Sequence, residues 1–258
     1  MKSISYDDRG CSNASTRDTQ ARTEGAQEAR AQARQAHTDI SAYLLHMEHR
    51  ILHLVGEHGV LGQWLTSLFS DTSVDFLLAL YRVGALPDGR TVFPYITCNG
   101  LTIDGKVMAY GADGHRIKVI SEKVTSVTWL HALDRIERPM PLPLFGEHLL
   151  RTLPFAPLCL VESEKTALVA KLWRPDCTWI ATGGKSSFTA DRCRVLAGRT
   201  ILVWPDADAV GEWMEAAAAI GSALDIRFQF PTAYLNRIRE GPPKGDLADL
   251  VVRTLREL

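Results

Sequence analysis

The stretch TILVWPDADAVGEW, residues 200–213, decides how the chain folds. An apolar, β-branched run stops at Pro205. Asp206 and Asp208 follow one residue apart, and Gly211 comes three residues after the second. A short unbroken apolar run closed by a turn signal reads as a buried strand of a parallel sheet. The next segment, AVGEWMEAAAAIGSA, reads as a helix. The same alternation recurs on either side of this stretch. PLCLVE is a strand, SEKTALVAKLW a helix and TWIAT a second strand; TADRCRVLAG is helical, and DIRFQF forms a fourth strand after the central one. Strands that alternate with helices imply parallel βαβ units with helices on both faces of the sheet.

Open parallel sheets bind ligands at the carboxyl ends of their strands. Glu162 ends the first strand, Thr182 and the sequence GGKSS follow the second, and Asp206 and Asp208 follow the third. Two carboxylates ~4–5 Å apart repel by several kcal/mol at an effective dielectric near 20. Protonating one relieves this, and so does a divalent cation; Mg²⁺ takes one or two protein carboxylates and completes its shell with water and phosphate. The plainer reading stands beside it: Pro205 and Asp206 form a turn, and Asp208 caps a helix.

Other signals are weaker. TGGKSS is not a P-loop, because Trp179 occupies the position that needs glycine. Gly183 and Gly184 read either as a backbone phosphate cradle with Lys185 as counter-charge or as a plain turn. Lys165, in a first helical turn where an acid is the usual choice, reads as a phosphate contact or as a solvated lysine. His46, His49 and His53 share a helix face without HExxH spacing and read as a polar surface. Trp129 is a candidate for stacking on a base.

Upstream the pattern differs. Residues 1–36 are polar and rich in Ala, Gln and Arg, a disordered tail that turns helical towards its end. Residues 37–86 read as helices: one of about four turns from Ile40, then VLGQWLTSLF, then a helix begun by Ser73. Residues 87–138 carry Asp88-Gly89, Asn99-Gly100, Asp104-Gly105 and Asp113-Gly114, four turn dipeptides between short β-rich runs, and read as an antiparallel meander. The proline-rich ERPMPLPLF leads to the parallel-sheet domain, residues 150–258. The expected fold is therefore α/β, a parallel-sheet domain preceded by a small antiparallel β-rich module and N-terminal helices.

Composition sets outer bounds. The 258 residues are 46% hydrophobic and carry 29 Lys+Arg against 30 Asp+Glu. A near-neutral balance leaves room for a local basic groove. The five cysteines are scattered with no CxxC pair, which speaks against a disulfide framework or a zinc ribbon. No apolar run approaches the ~20 residues of a membrane span. The expectation is a soluble cytoplasmic protein.

CLVESEKTALVAKL, ATGGKSS and ILVWPDADAVGEWMEAA, in that order, resemble the toprim domain of bacterial primases, topoisomerases and some nucleases. Glu162 matches the family glutamate that ends its first strand; Asp206, Asp208 and Gly211 match its DxDxxG. KGDLADLV is similar to the acidic segment that follows in primase-type toprims, making Asp246 and Asp249 further metal candidates. GRTVFPYITCNGLTIDGKVMAYG with PLPLFGEHLL is similar to the module before toprim in primase cores, so that the resemblance spans about residues 75–255. It looks closest to the toprim-like proteins of phages and mobile elements. The chain lacks the zinc ribbon of replicative primases, and SEKTA is nearer the topoisomerase and phage variants.

The resemblance implies Mg²⁺- or Mn²⁺-dependent nucleotidyl transfer on single-stranded DNA. Glu162 would act as general acid/base or metal ligand, with Lys165 beside it. Asp206 and Asp208 would hold the metal; Gly183, Gly184 and Lys185 would meet nucleotide phosphate. Arg116, Lys118 and Lys123 would line the nucleic-acid path. Two other readings stand: a toprim nuclease, and a non-catalytic nucleic-acid-binding accessory of a replicative helicase.

Overall fold

The computed structural model describes residues 13–121, 124–125 and 127–257. Residues 1–12 of the expected tail, and Lys123, lie outside them. Contacts divide the chain into residues 1–45 and 46–258. A single helix, α1 (Asn13–Leu52), runs through that boundary. It begins well before the expected Ile40, since Ala, Gln, Arg and Glu are strong helix formers.

In the second unit, α2 (Gly59–Thr66) and α3 (Asp71–Tyr81) come first. The start of α3 differs from the expectation. Ser70, not Ser73, is its N-cap, and the Ser70 hydroxyl accepts the Ser73 N–H at 3.3 Å. Both serines fit the composition rule, and the first lets Asp71 sit in the favourable first turn.

The antiparallel sheet has the order β1 (Gly84–Ala85), β2 (Thr91–Ile96), β3 (Thr102–Met108) and β6 (Val127–Trp129). Between β3 and β6 lies a two-stranded hairpin, β4 (Val119–Ser121) and β5 (Val124–Thr125). Gly89, Gly100 and Gly114 take positive φ, as turn glycines do. Asp104-Gly105 is no turn; both residues lie inside β3. A Cβ on Gly105 would sit 2.6 Å from Leu130 Cδ1 and 2.8 Å from Val92 Cγ1, so the glycine serves close packing. Two short helices follow, α4 (Leu130–Leu133) and α5 (Leu149–Thr152).

The second sheet is wholly parallel, in the order β10 (Arg227–Gln229), β9 (Thr200–Trp204), β7 (Leu158–Val161), β8 (Thr178–Ala181). The helices between and after its strands are α6 (Glu164–Trp173), α7 (Ala190–Cys193), α8 (Val210–Leu224), α9 (Thr232–Arg239) and α10 (Leu247–Arg256). Strand residues alternate between two cores. Cys159, Val161, Trp179 and Ala181 pack with α6, α9 and α10. Leu158, Leu160, Ile180, Ile201 and Val203 pack with Trp213, Ala217 and Ile220 of α8. Helices therefore cover both faces, and each fully buried large side chain contributes about 1.5–3 kcal/mol. The backbone between strand ends is what remains for a site.

Candidate functional site

The parallel register sets the site. Val161 lies opposite both Ala181 and Trp204. Glu162, Thr182 and Pro205 therefore leave the sheet side by side, with Asp206 one residue further along.

Two carboxylate oxygens at this edge lack partners. Glu162 Oε2 and Asp206 Oδ1 are buried and make no hydrogen bond among the described residues. Burial raises the pKa of Glu162, and Asp208 and Asp246 add to the rise; Lys185, through its charge and its backbone N–H, opposes them. Asp206 is pushed up to about 8, first by burial and then by Asp246, Glu162, Asp208 and Asp249. Five acids thus share one field. Buried polar groups left unpaired are rare and costly, so these two oxygens mark the edge as a candidate site. Among the described residues no three His, Cys, Asp or Glu side chains converge to hold an ion by themselves.

Asp208 is exposed, and it does not cap α8. The N-cap is Ala209, with no side-chain bond. A turn spans residues 206–209, in which the Ala209 N–H donates to Asp206 O at 2.9 Å, and Pro205 lies just before it. Asp246 and Asp249 are committed to each other as the capping box of α10: the Asp249 N–H meets Asp246 Oδ1 at 2.8 Å and the Asp246 N–H meets Asp249 Oδ2 at 3.1 Å. Asp246 Oδ2 also accepts the Thr166 hydroxyl at 2.9 Å.

The glycine loop is partly occupied. The Gly183 N–H donates to Glu162 O at 2.8 Å, and the Lys185 N–H faces the Glu162 carboxylate. Gly183 has φ +80°, and a Cβ there would meet the Tyr95 hydroxyl at 2.1 Å, so only glycine fits. Lys185 Nζ pairs with Glu212 at 3.1 Å and donates to Asp208 O at 2.8 Å. Lys165 Nζ lies 5.7 Å above the Trp64 ring.

A 420 Å³ cavity runs beside the acids. Arg116, Lys118 and Lys244 line it together with Glu162, Lys165, Asp246 and Asp249. Gly183 and Gly184 reach it, whereas Asp206, Asp208 and Lys185 are not among its described walls. Cations and acids of the two sheets therefore meet across one groove.

Sequence reasoning missed the groups beneath this groove. Lys106, 9% exposed, donates to Glu164 Oε1 at 2.9 Å and to Gly183 O at 2.8 Å, and the Tyr95 hydroxyl donates to the same Glu164 oxygen. The pair ties β3 to the glycine loop. Its signal was a lysine inside a strand otherwise buried along its length. Trp129, the stacking candidate, is half-buried, with Arg138 5.4 Å from its ring centre and the Tyr95 ring 5.4 Å away.

Among solved structures, the DnaG primase catalytic domain bound to ssDNA is 14% identical, with a TM-score of 0.53, over 84% of this chain and 76% of that one. The DnaG catalytic core gives 14% and 0.46, over 82% and 76%. The primase fragment of the bacteriophage T7 primase-helicase protein gives 17% and 0.41 over 68% of this chain; the chain spans 62% of that fragment's length. The chain shares its fold with primase catalytic cores. No curated protein matches it in sequence. The family described as "Domain of unknown function (DUF6371)" matches residues 60–207, and the chain belongs to that family.

Proposed function

We propose that residues 150–258 form a toprim-type domain that, with the module at 87–138, performs Mg²⁺-dependent, primase-like nucleotidyl transfer on single-stranded DNA. The observation that carries this reading is the pair of buried, unpartnered oxygens, Glu162 Oε2 and Asp206 Oδ1, on neighbouring strands of one sheet edge. Asp206 and Asp208 would hold the ion, with water and substrate phosphate completing the shell that Mg²⁺ requires. Mg²⁺ held by Asp206 and Asp208 would supply neutralisation of the triphosphate charge. Asp246 and Asp249 act through their charge while capping α10.

The chain's own groups supply the rest. Glu162, whose proton affinity is raised by burial, takes the proton of the attacking 3′-hydroxyl at Oε2. Lys165 faces phosphate in the groove. Arg116 and Lys118 offset the repulsion between the acids and the strand, and Lys123 belongs to the same segment. The Lys106 contact to the Gly183 carbonyl fixes the loop that frames the site, and Gly183, Gly184 and Lys185 are its candidates for nucleotide phosphate.

The test is incubation with Mg²⁺ or Mn²⁺, labelled nucleotides and single-stranded DNA. Lengthened products support transfer, and Glu162→Gln should reduce them about 10²–10⁴-fold, as loss of a general base does. Shortened products would mean that the same acids direct water, the nuclease reading. No turnover by a protein that Mg²⁺ stabilises would leave an accessory that works beside a partner such as a helicase.

A further inference from the structure

A second cavity, of 410 Å³, adjoins the groove at the C-terminal end of α10. Its basic walls are His115, Lys165, Arg253 and Arg256, against Asp113, Asp249 and Glu257. The acids are partly engaged: Asp113 accepts the His115 N–H at 3.0 Å, and Asp249 accepts that of Asp246 at 3.1 Å. Neither Arg253 nor Arg256 makes a side-chain hydrogen bond or ion pair among the described residues. Lys165 is steadied over Trp64, with a 3.4 Å bond to Gly114 O.

Trp64 supplies the second, independent observation. It lines the cavity, is only 6% exposed, and its indole N–H is buried without an acceptor. Tryptophan is a donor only, as are arginine and lysine. A surplus of donors around a roomy cavity calls for a ligand rich in acceptor oxygens. Arginine beside a buried N–H suits phosphate in particular, through paired, charge-assisted hydrogen bonds. The bland account, that Arg253 and Arg256 only complement the helix dipole, leaves the orphaned indole unexplained.

We infer that the cavity bounded by Trp64, Lys165, Arg253 and Arg256 is a phosphate-binding site distinct from the carboxylate edge. Lys165 and His115 wall both cavities, so a phosphate held here lies one side chain from the groove. Two sources present that chemistry: the backbone of a strand continuing out of the groove, which rests on the function proposed above, and a free phosphate such as pyrophosphate, which does not.

The test uses the full chain in EDTA, so that metal binding plays no part. Anisotropy of a labelled single-stranded oligonucleotide across a salt series reports the strand, and calorimetric titration with pyrophosphate reports the free anion. Arg253→Ala/Arg256→Ala should weaken one or both about tenfold. For the strand it should flatten the salt slope by roughly one to one and a half, as loss of two phosphate contacts does. Loss confined to the oligonucleotide assigns a strand, and loss confined to pyrophosphate assigns a free anion. Trp64→Phe, which keeps ring and charge, should weaken the same ligand severalfold. Arg237→Ala/Arg239→Ala removes equal charge from exposed positions of α9 and should stay within twofold of the parent. Parent-like binding by both cavity variants, or an equal loss in the α9 variant, overturns the site. Mg²⁺ stabilisation of the parent, read in separate melts, tests the metal reading without this cavity, so the two readings fail separately.

Discussion

Two buried charge clusters lie within this fold, and they are built on opposite plans. Under the antiparallel sheet the buried carboxylates Glu164 and Asp104 have partners. Glu164, 1% exposed, meets Lys106 and Tyr95. Asp104, fully buried, meets the Gly105 N–H at 2.8 Å, His131 Nδ1 at 2.5 Å and Arg138 at 3.4 Å. At the parallel-sheet edge, Glu162 and Asp206 each keep a buried oxygen without a partner. Where a buried carboxylate serves the fold, the chain surrounds it with donors, because an isolated buried charge costs far more than a paired one. Two acids at a strand edge from which the chain withholds donors are what the proposed metal reading rests on.

The comparison breaks most visibly at its satisfied half. Glu164→Ala leaves the Lys106 ammonium buried and unpaired, and should cost about 3–5 kcal/mol in chemical denaturation. Lys106→Met/Glu164→Leu removes both charges and should recover most of that loss, since an apolar pair replaces a buried ion pair at little cost. A single variant no worse than the double one would show that the ion pair contributes nothing, and the contrast would collapse.

The unsatisfied half should respond to metal and to pH. Mg²⁺ at a hundredfold excess over its Kd stabilises by about 2.7 kcal/mol. The parent should show that increment in thermal melts against EDTA, and Asp206→Asn/Asp208→Asn should not. In EDTA the sign of the pH effect is fixed by the direction of the shift. The folded-state pKa of Asp206, about 8, lies above the unfolded value near 4, so the folded protein binds the extra proton between them. Its contribution is fully present below about pH 4 and lost as pH rises through 8. Asp206→Asn should flatten that decline; an unchanged slope would mean that Asp206 is not held at a raised pKa.

Much of this edge is legible in the sequence. Period and punctuation separate a parallel from an antiparallel part because strands buried on both faces read as unbroken apolar runs, and register then follows from the parallel pairing. Glu162 and Asp206 were visible as polar residues ending such runs. The hidden half is hidden for a physical reason. Lys106 and Glu164 are 58 residues apart in sequence, and nothing local marks one as the other's partner. Asp104-Gly105 carries a turn signature, yet burial and the collision of any Cβ with Leu130 and Val92 override it. The segment at α10 carries two meanings: Asp246 and Asp249 read as metal candidates, and D-x-x-D before Leu250 and Val251 is also the capping pattern that the structure forms.

That double meaning gives a smaller prediction. Asp246→Ala removes the cap of α10 and the acceptor for Thr166, and should cost about 0.5–2 kcal/mol, the range for lost N-caps. The loss should be equal in EDTA and in Mg²⁺. A loss that grows with Mg²⁺ would move Asp246 from the satisfied group to the ligand group.

The smallest expected effect falls on Asp208, where the two sequence readings diverged. Its side chain is exposed, α8 begins at Ala209 without a side-chain cap, and the bond from Lys185 uses the Asp208 carbonyl, which alanine retains. Asp208→Ala should therefore stay within about 0.5 kcal/mol of the parent in EDTA, as surface changes away from such features do. Any change should be slightly stabilising, because Asp208 adds to the repulsion felt by Glu162 and Asp206. Melts repeated with Mg²⁺ and nucleotide should then show the variant falling behind, since the ion loses a carboxylate exactly where substrate phosphate completes its shell. A loss of about 0.5–2 kcal/mol already present in EDTA and indifferent to the metal would make Asp208 a cap after all. The acidic edge would then be a turn with crowded charges, and its contrast with the Lys106–Glu164 pair would no longer mark a binding site.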